Sequence, residues 1–153
     1  MIGDPAWLDF LDVAYMEHCA MAARRNRAAL PFEEWARERT WEDFARIVRV
    51  AQRVPKFALS DWATENPIAM VGGRAYRSRV LARRIIDAVV MSQTVMKALQ
   101  RHSRKAYRAA QTYFEDGRVA PDQRPSLTRA KRFVFDWLRS AATEEAHSSV
   151  AAR

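Results

Sequence analysis

Lys97, Arg101, Arg104 and Arg108 recur at spacings of four, three and four residues. On a helix that spacing puts all four cations on one face, as a ridge about 16 Å long at 1.5 Å rise per residue. A ridge of this kind suits a run of phosphates, because arginine grips phosphate bidentately and lysine meets it as a point charge. With Leu81 as the centre of the opposite apolar stripe and 100° per residue, Arg79 and Arg83 fall on the same face, between about 140° and 200°. Lys105 flanks it at about 240°.

A charged solvent face is ordinary for a helix, but it normally mixes signs, because acid–base pairs four residues apart stabilise it. Arg46 follows Glu42 by four residues and Arg132 precedes Asp136 by four, so those faces are expected to be partly neutralised. Residues 88–108 contain no acid at all. Like charges at that spacing cost a few tenths of a kcal/mol per pair, which a polyanion would reverse. Tyr76, Tyr107 and Tyr113 lie on or near the segment and are candidates to stack on bases; packing at a helix edge is the simpler expectation.

Other chemistry finds little footing. The histidines, His18, His102 and His147, stand too far apart for zinc spacing, so neither a metal nor another cofactor is expected. Glu17-His18-Cys19 adjoin, but neighbours on a helix point about 100° apart, and His18 falls on an apolar stripe where it should pack. Cys19 reads as a small buried hydrophobe. The carboxylate pairs Glu33-Glu34, Glu42-Asp43 and Glu144-Glu145 sit near helix starts or in the last residues, where dipole or solvent accounts for them. No phosphate-cradling or nucleophile-elbow motif occurs, and Gly72-Gly73 has no recognisable strand pattern around it. The expectation is a protein without enzymatic activity.

The elements that must carry the ridge are almost all helical. Asp4-Pro5 is a cap followed by proline at the first helical position, and Trp7, Leu8, Leu11, Tyr15, His18 and Ala22 follow at helical steps. Pro31 opens a second segment, and Thr40-Trp41-Glu42-Asp43 resembles a capping box for a third with the stripe Trp41, Phe44, Val48 and Ala51, ending before Pro55. A short helical turn is expected over Ser60–Glu65, before the Gly72-Gly73 break. From Arg74 to Asp116 there is neither Gly nor Pro. Unbroken, those residues would make a rod about 64 Å long, too long for a globule about 40 Å across; a break near His102-Ser103 is expected. Gly117 should cap that segment and Ser126 start a last helix with Leu127, Ala130, Val134, Trp137, Leu138 and Ala141 inward. The architecture is therefore an all-α single helical bundle of about five helices over residues 1–142, with a long Arg-rich central segment. Residues 143–153 read as a flexible C-terminal tail.

Composition agrees. The chain has 153 residues, 49% of them hydrophobic, enough for one folded domain. With 4 Gly and 6 Pro it lacks the punctuation that a β-sandwich or barrel needs. Its net charge of +8 is concentrated: residues 74–108 hold ten basic groups and one acid, Asp87. A single cysteine excludes an internal disulfide framework. No apolar run approaches the roughly 20 residues of a membrane span, and Met-Ile-Gly-Asp-Pro does not open a secretory signal. A cytoplasmic protein with nucleic acid as its partner, and no membrane association, is the expectation.

In size, helical content and charge placement, residues 4–142 resemble the small subunits of class 1 CRISPR effector complexes, which function in antiviral defence. The resemblance implies a non-catalytic helical bundle that stacks in a few copies within a ribonucleoprotein. Its partners would be other protein subunits, including copies of itself, and the backbone of guide or target RNA or DNA. The residues here that would carry such contacts are Arg79, Arg83, Lys97, Arg101, Arg104, Lys105 and Arg108. One alternative is a helix-turn-helix DNA-binding protein, a phage regulator or packaging subunit. Ser60–Glu65 would be its first helix, Asn66–Gly73 its turn and Arg74–Arg84 its recognition helix, although eight residues is long for that turn. A helical protein–protein adaptor, docking its ridge on an acidic partner, is the other.

Overall fold

The computed structural model describes residues 2–53 and 56–151, apart from the side chains of 56, 57 and 148–151. Among these the protein is all-α in class, with six α-helices and one small hairpin: α1 (Pro5–Arg24), α2 (Phe32–Arg53), α3 (Lys56–Glu65), β1 (Ile68–Val71), β2 (Arg74–Arg77), α4 (Ser78–His102), α5 (Arg104–Asp116) and α6 (Arg124–Ala151).

The helix starts and stops follow local chemistry. Asp4 caps α1, its carboxylate accepting from the Trp7 N–H at 3.1 Å. Just before it, Gly3 has φ +89° and a Cβ there would stand 2.6 Å from Met91 Sδ, so both backbone and space call for glycine. Gly117 closes α5 at φ 76° in the left-handed conformation. Ser103 performs two tasks. Its backbone is extended (φ −158°, ψ 114°), its N–H donates to Leu99 O at 2.9 Å to end α4, and its Oγ accepts from the Ala106 N–H at 3.2 Å to begin α5. The expected break of the long segment is therefore present, one residue wide.

α6 is the central element, packing against α5, α2, α1 and α4. Ala106, Ala109 and Ala110 of α5 and Ala130 of α6 are fully buried, and such small side chains let two helix backbones approach closely. Around them lie Trp41 and Phe44 of α2, Val95 and Leu99 of α4, Phe114 of α5 and Val134, Phe135 and Leu138 of α6. Trp41 stacks on Phe114 with ring centres 5.3 Å apart, and Trp7 meets Phe135 edge to face at 6.1 Å. His18 packs, as its stripe suggested: its ring stacks with Tyr15 and Trp35, each 5.8 Å away. Its Nε2 accepts from the Leu30 N–H at 3.2 Å while the Tyr15 hydroxyl donates to Leu30 O at 2.6 Å, holding the α1–α2 connection. Partial burial first, and the neighbouring Cys19 thiol second, raise the Tyr15 hydroxyl above its ordinary pKa and keep it a donor. Cys19 itself is half-buried.

Several boundaries differ from expectation. Thr40 is not a cap: residues 32–53 form one helix with Thr40 fully buried in its middle, because Ala36, Trp41, Phe44 and Ala45 continue a single buried stripe across it. Pro55 lies outside the described residues. α3 is longer than the turn expected at Ser60–Glu65. Gly72 and Gly73 do have flanking strands. Both have positive φ, 57° and 77°, as a two-residue hairpin turn requires, and Val71 pairs with Arg74 across it. Ser126 is not the start of α6, which begins at Arg124 directly after a 3₁₀ turn at Pro121–Gln123. Residues 143–151, read from the sequence as part of a flexible C-terminal tail, are helical and continue α6.

Replacing Trp41 by Ala is expected to destabilise the fold by about 3–5 kcal/mol, and Ser103→Ala by about 1 kcal/mol through the lost cap. Urea unfolding followed by circular dichroism measures both; a neutral Ser103→Ala would show that packing alone sets the break.

Candidate nucleic-acid interface

The break at Ser103 divides the expected ridge between two helices. Lys97 and Arg101 occupy the last turns of α4, and Arg104, Lys105 and Arg108 the first turns of α5. The two sets remain close: Lys97, Arg101 and Arg104, with Gln100, His102 and Ser103, line one concavity of about 490 Å³ at the corner. All five cations are exposed, and among the described residues none forms an ion pair. The straight 16 Å ridge is thus replaced by a bent basic corner.

The helix dipole sharpens this charge. Lys97 and Arg101 stand near the negative end of α4, which suits cations. Arg104 and Lys105 stand at the positive end of α5, whose first turn contains no acid. A cation there is unfavourable by about 0.3–1 kcal/mol, and an anion would be favoured by as much.

Elsewhere several basic side chains find partners, while others, such as Arg24, Arg53, Arg84 and Arg118, are exposed and form no ion pair among the described residues. Arg37 pairs with Glu33 at 3.8 Å, Arg39 with Asp43 at 3.5 Å and Arg46 with Asp43 at 3.3 Å. Lys131 reaches Glu38 at 3.0 Å, and Arg139 reaches Glu33 at 2.8 Å. Arg49 donates to the backbone carbonyls of Phe114 and Tyr113, at 3.3 and 3.4 Å. Two of the seven predicted site residues also separate from the corner. Arg83 pairs with Asp87 at 3.2 Å. Arg79 is exposed and unpaired but lies 18 residues before Lys97 on α4, about 27 Å away at the helical rise.

The neutralised control faces differ in detail. Arg46 meets Asp43, not Glu42. Asp136 pairs with Arg139 at 3.5 Å and leaves Arg132 without an acid. Arg132 and Arg129, both exposed, line a second concavity of about 560 Å³ with His102, Phe133 and Trp137. Sequence reasoning missed this surface; the signal was Arg139, three residues after Asp136 and competing for it. Tyr107 and Tyr113 pack instead of facing outward for bases, while Tyr76 is half-buried on β2. Tyr113 lies against Trp41, and half-buried Tyr107 is hydrogen-bonded through its hydroxyl to Gln111 Nε2 at 3.0 Å.

Among the described residues no three His, Cys, Asp or Glu side chains gather as a metal set, and no helix is long and apolar enough to cross a membrane. Residues 66–77 form a hairpin and not a short turn, and Arg74–Arg77 are strand, so the arrangement required by a helix-turn-helix over 60–84 is not formed. Compared with protein-family models, curated proteins and solved structures, the chain gives no match.

If the corner is uncompensated, Arg104→Glu should stabilise the free protein by roughly 0.3–1 kcal/mol at low salt and by less at high salt. Thermal melts at 20 mM and 500 mM salt check this; a lowered melting temperature at low salt would mean that Arg104 has a partner.

Proposed function

We propose that this chain is a non-catalytic helical subunit that binds the phosphate backbone of RNA or DNA within a larger cytoplasmic assembly. This is the role implied by its resemblance to the small subunits of class 1 CRISPR effectors. The observation that carries the reading is the clustering at the corner: Lys97, Arg101, Arg104, Lys105 and Arg108 lie within twelve residues on either side of one break, all exposed and without an acidic partner among the described residues, and three of them line one concavity. Backbone contacts of this type position a strand without reading its sequence.

Membership of an assembly has separate support. α1 buries Trp7 and Leu11 yet leaves Phe10, Val13 and Met16 at 50%, 62% and 72% exposure. The hairpin leaves Ile68 and Met70 at 68% each, and Trp62 of α3 is also exposed. Apolar surface of this sort marks contacts with other protein chains. The same observation favours the adaptor as second reading, with α1 and the hairpin as its docking faces.

Fluorescence anisotropy with a single strand and a duplex, from 50 to 300 mM salt, separates the two. Five phosphate contacts give a log–log slope of about −4.5 for duplex and −3.5 for a single strand. Lys97→Glu, Arg101→Glu and Arg104→Glu together should flatten the slope by about three and weaken all sequences alike, whereas Arg46→Ala should leave it unchanged. Salt-independent or absent binding overturns phosphate contact, and recovery of protein partners from nuclease-treated lysate would then favour the adaptor.

A further inference from the structure

Beside the basic corner, α6 presents two parallel rows at four-residue spacing: Arg129, Phe133, Trp137 and Ala141, and Arg132, Asp136, Ser140 and Glu144. These rows and His102 line the open 560 Å³ concavity, a volume within the roughly 300–1,000 Å³ typical of small-ligand sites. Its composition is specific. The His102 and Phe133 rings already stack, with centres 4.7 Å apart and planes 20° from parallel. Trp137, half-buried, follows Phe133 by one turn, and its indole N–H has no hydrogen-bond partner among the described residues. Arg129 and Arg132 stand at the N-terminal end of the rows, unpaired. Of the acids, Asp136 is taken by Arg139, while Glu144 is one turn beyond Ser140, away from the arginines.

Aromatic faces with cations at one end match a flat ring joined to a phosphate, which is a nucleotide unit. We propose that this groove takes one unpaired nucleotide of a single strand, its base against Phe133 and Trp137 and its phosphate on Arg129 and Arg132. The proposal deepens the phosphate-binding reading and rests on it. A free mononucleotide carries the same chemistry, but a strand is favoured because His102 lines both this groove and the corner concavity, so the phosphate track of Lys97, Arg101 and Arg104 continues into it. A fully paired duplex cannot use the groove, since its base faces are covered by their neighbours, whereas every unpaired base offers a π-face whatever its identity.

The test uses the full chain and three fluorescent probes of equal length: a mixed-sequence single strand, the same strand with abasic sites throughout its centre, which carries the same charge, and a duplex of that length, which carries about twice that charge. The intact strand should bind about tenfold more tightly than the abasic strand, with the same salt slope. Trp137→Ala should remove that difference and leave abasic affinity unchanged. Because Trp137 also packs against the core, the abasic comparison in the unaltered protein is the primary measurement. Equal affinity for intact and abasic strands, with salt dependence retained, overturns the base groove and leaves the phosphate reading standing. Loss of salt-dependent binding to every probe overturns both. Competition by adenosine or uridine monophosphate at the strand's own affinity would overturn the assignment to a strand.

Discussion

The basic corner depends on one residue leaving helical conformation. With β2 taking Arg74–Arg77, the 39 residues from Ser78 to Asp116 have neither Gly nor Pro and would extend as one rod of about 58 Å, longer than the domain is wide; Ser103 prevents this. It needs neither of the residues that usually end a helix. A serine with extended backbone still donates its N–H to the turn behind it, and its hydroxyl satisfies a free N–H of the turn ahead, so the break leaves few backbone groups unpaired. Because α5 then packs its alanine face on α6, its other face is turned outward. Core packing and cation display are thus two sides of the same thirteen-residue helix.

That arrangement stores a modest electrostatic cost. Five like charges around a corner repel one another, and the two at the start of α5 also face the positive end of its dipole. The cost is tolerable because all five are exposed, where solvent and salt screen them. The paired arginines of α2 and α6 show that acids are placed where the fold has use for them, such as the α2–α6 contact bridged by Lys131–Glu38 and Arg139–Glu33. At the corner no acid of this kind is placed among the described residues.

Local signals were legible in the sequence and tertiary ones were not. Asp4, Gly117 and the break at Ser103 declare themselves through capping and length. Thr40 misled because its capping pattern is real, yet burial of Trp41, Phe44 and Ala45 on a stripe that passes through it outweighs a cap. The hairpin was missed because its strands are four residues long and largely exposed, with no alternation to read; only the paired glycines, both at positive φ, carried the signal. At the site, the unpaired cations on 97–108 were legible as an acid-free run. The pairing of Arg83 with Asp87 requires only spacing, and the release of Arg132 depends on Arg139 taking Asp136. The α6 groove required the fold, since His102 and Phe133 are 31 residues apart in sequence and stack in space.

α4 connects two unequal parts of the molecule. Its C-terminal half supplies Val95 and Leu99 to the main core, while upstream Ala82 and Ala88, like Ala63 of α3, are buried outside it. α3 and β2 pack on α4, and α3 with the hairpin forms an arm on which Ile68, Met70 and Val71 remain exposed. Such an arm gains most when another chain covers it. The arm and two of the corner cations, Lys97 and Arg101, share this helix of 25 residues, about 37 Å long. A protein partner on the arm and a strand at the corner would therefore be held in fixed relation by one rigid element.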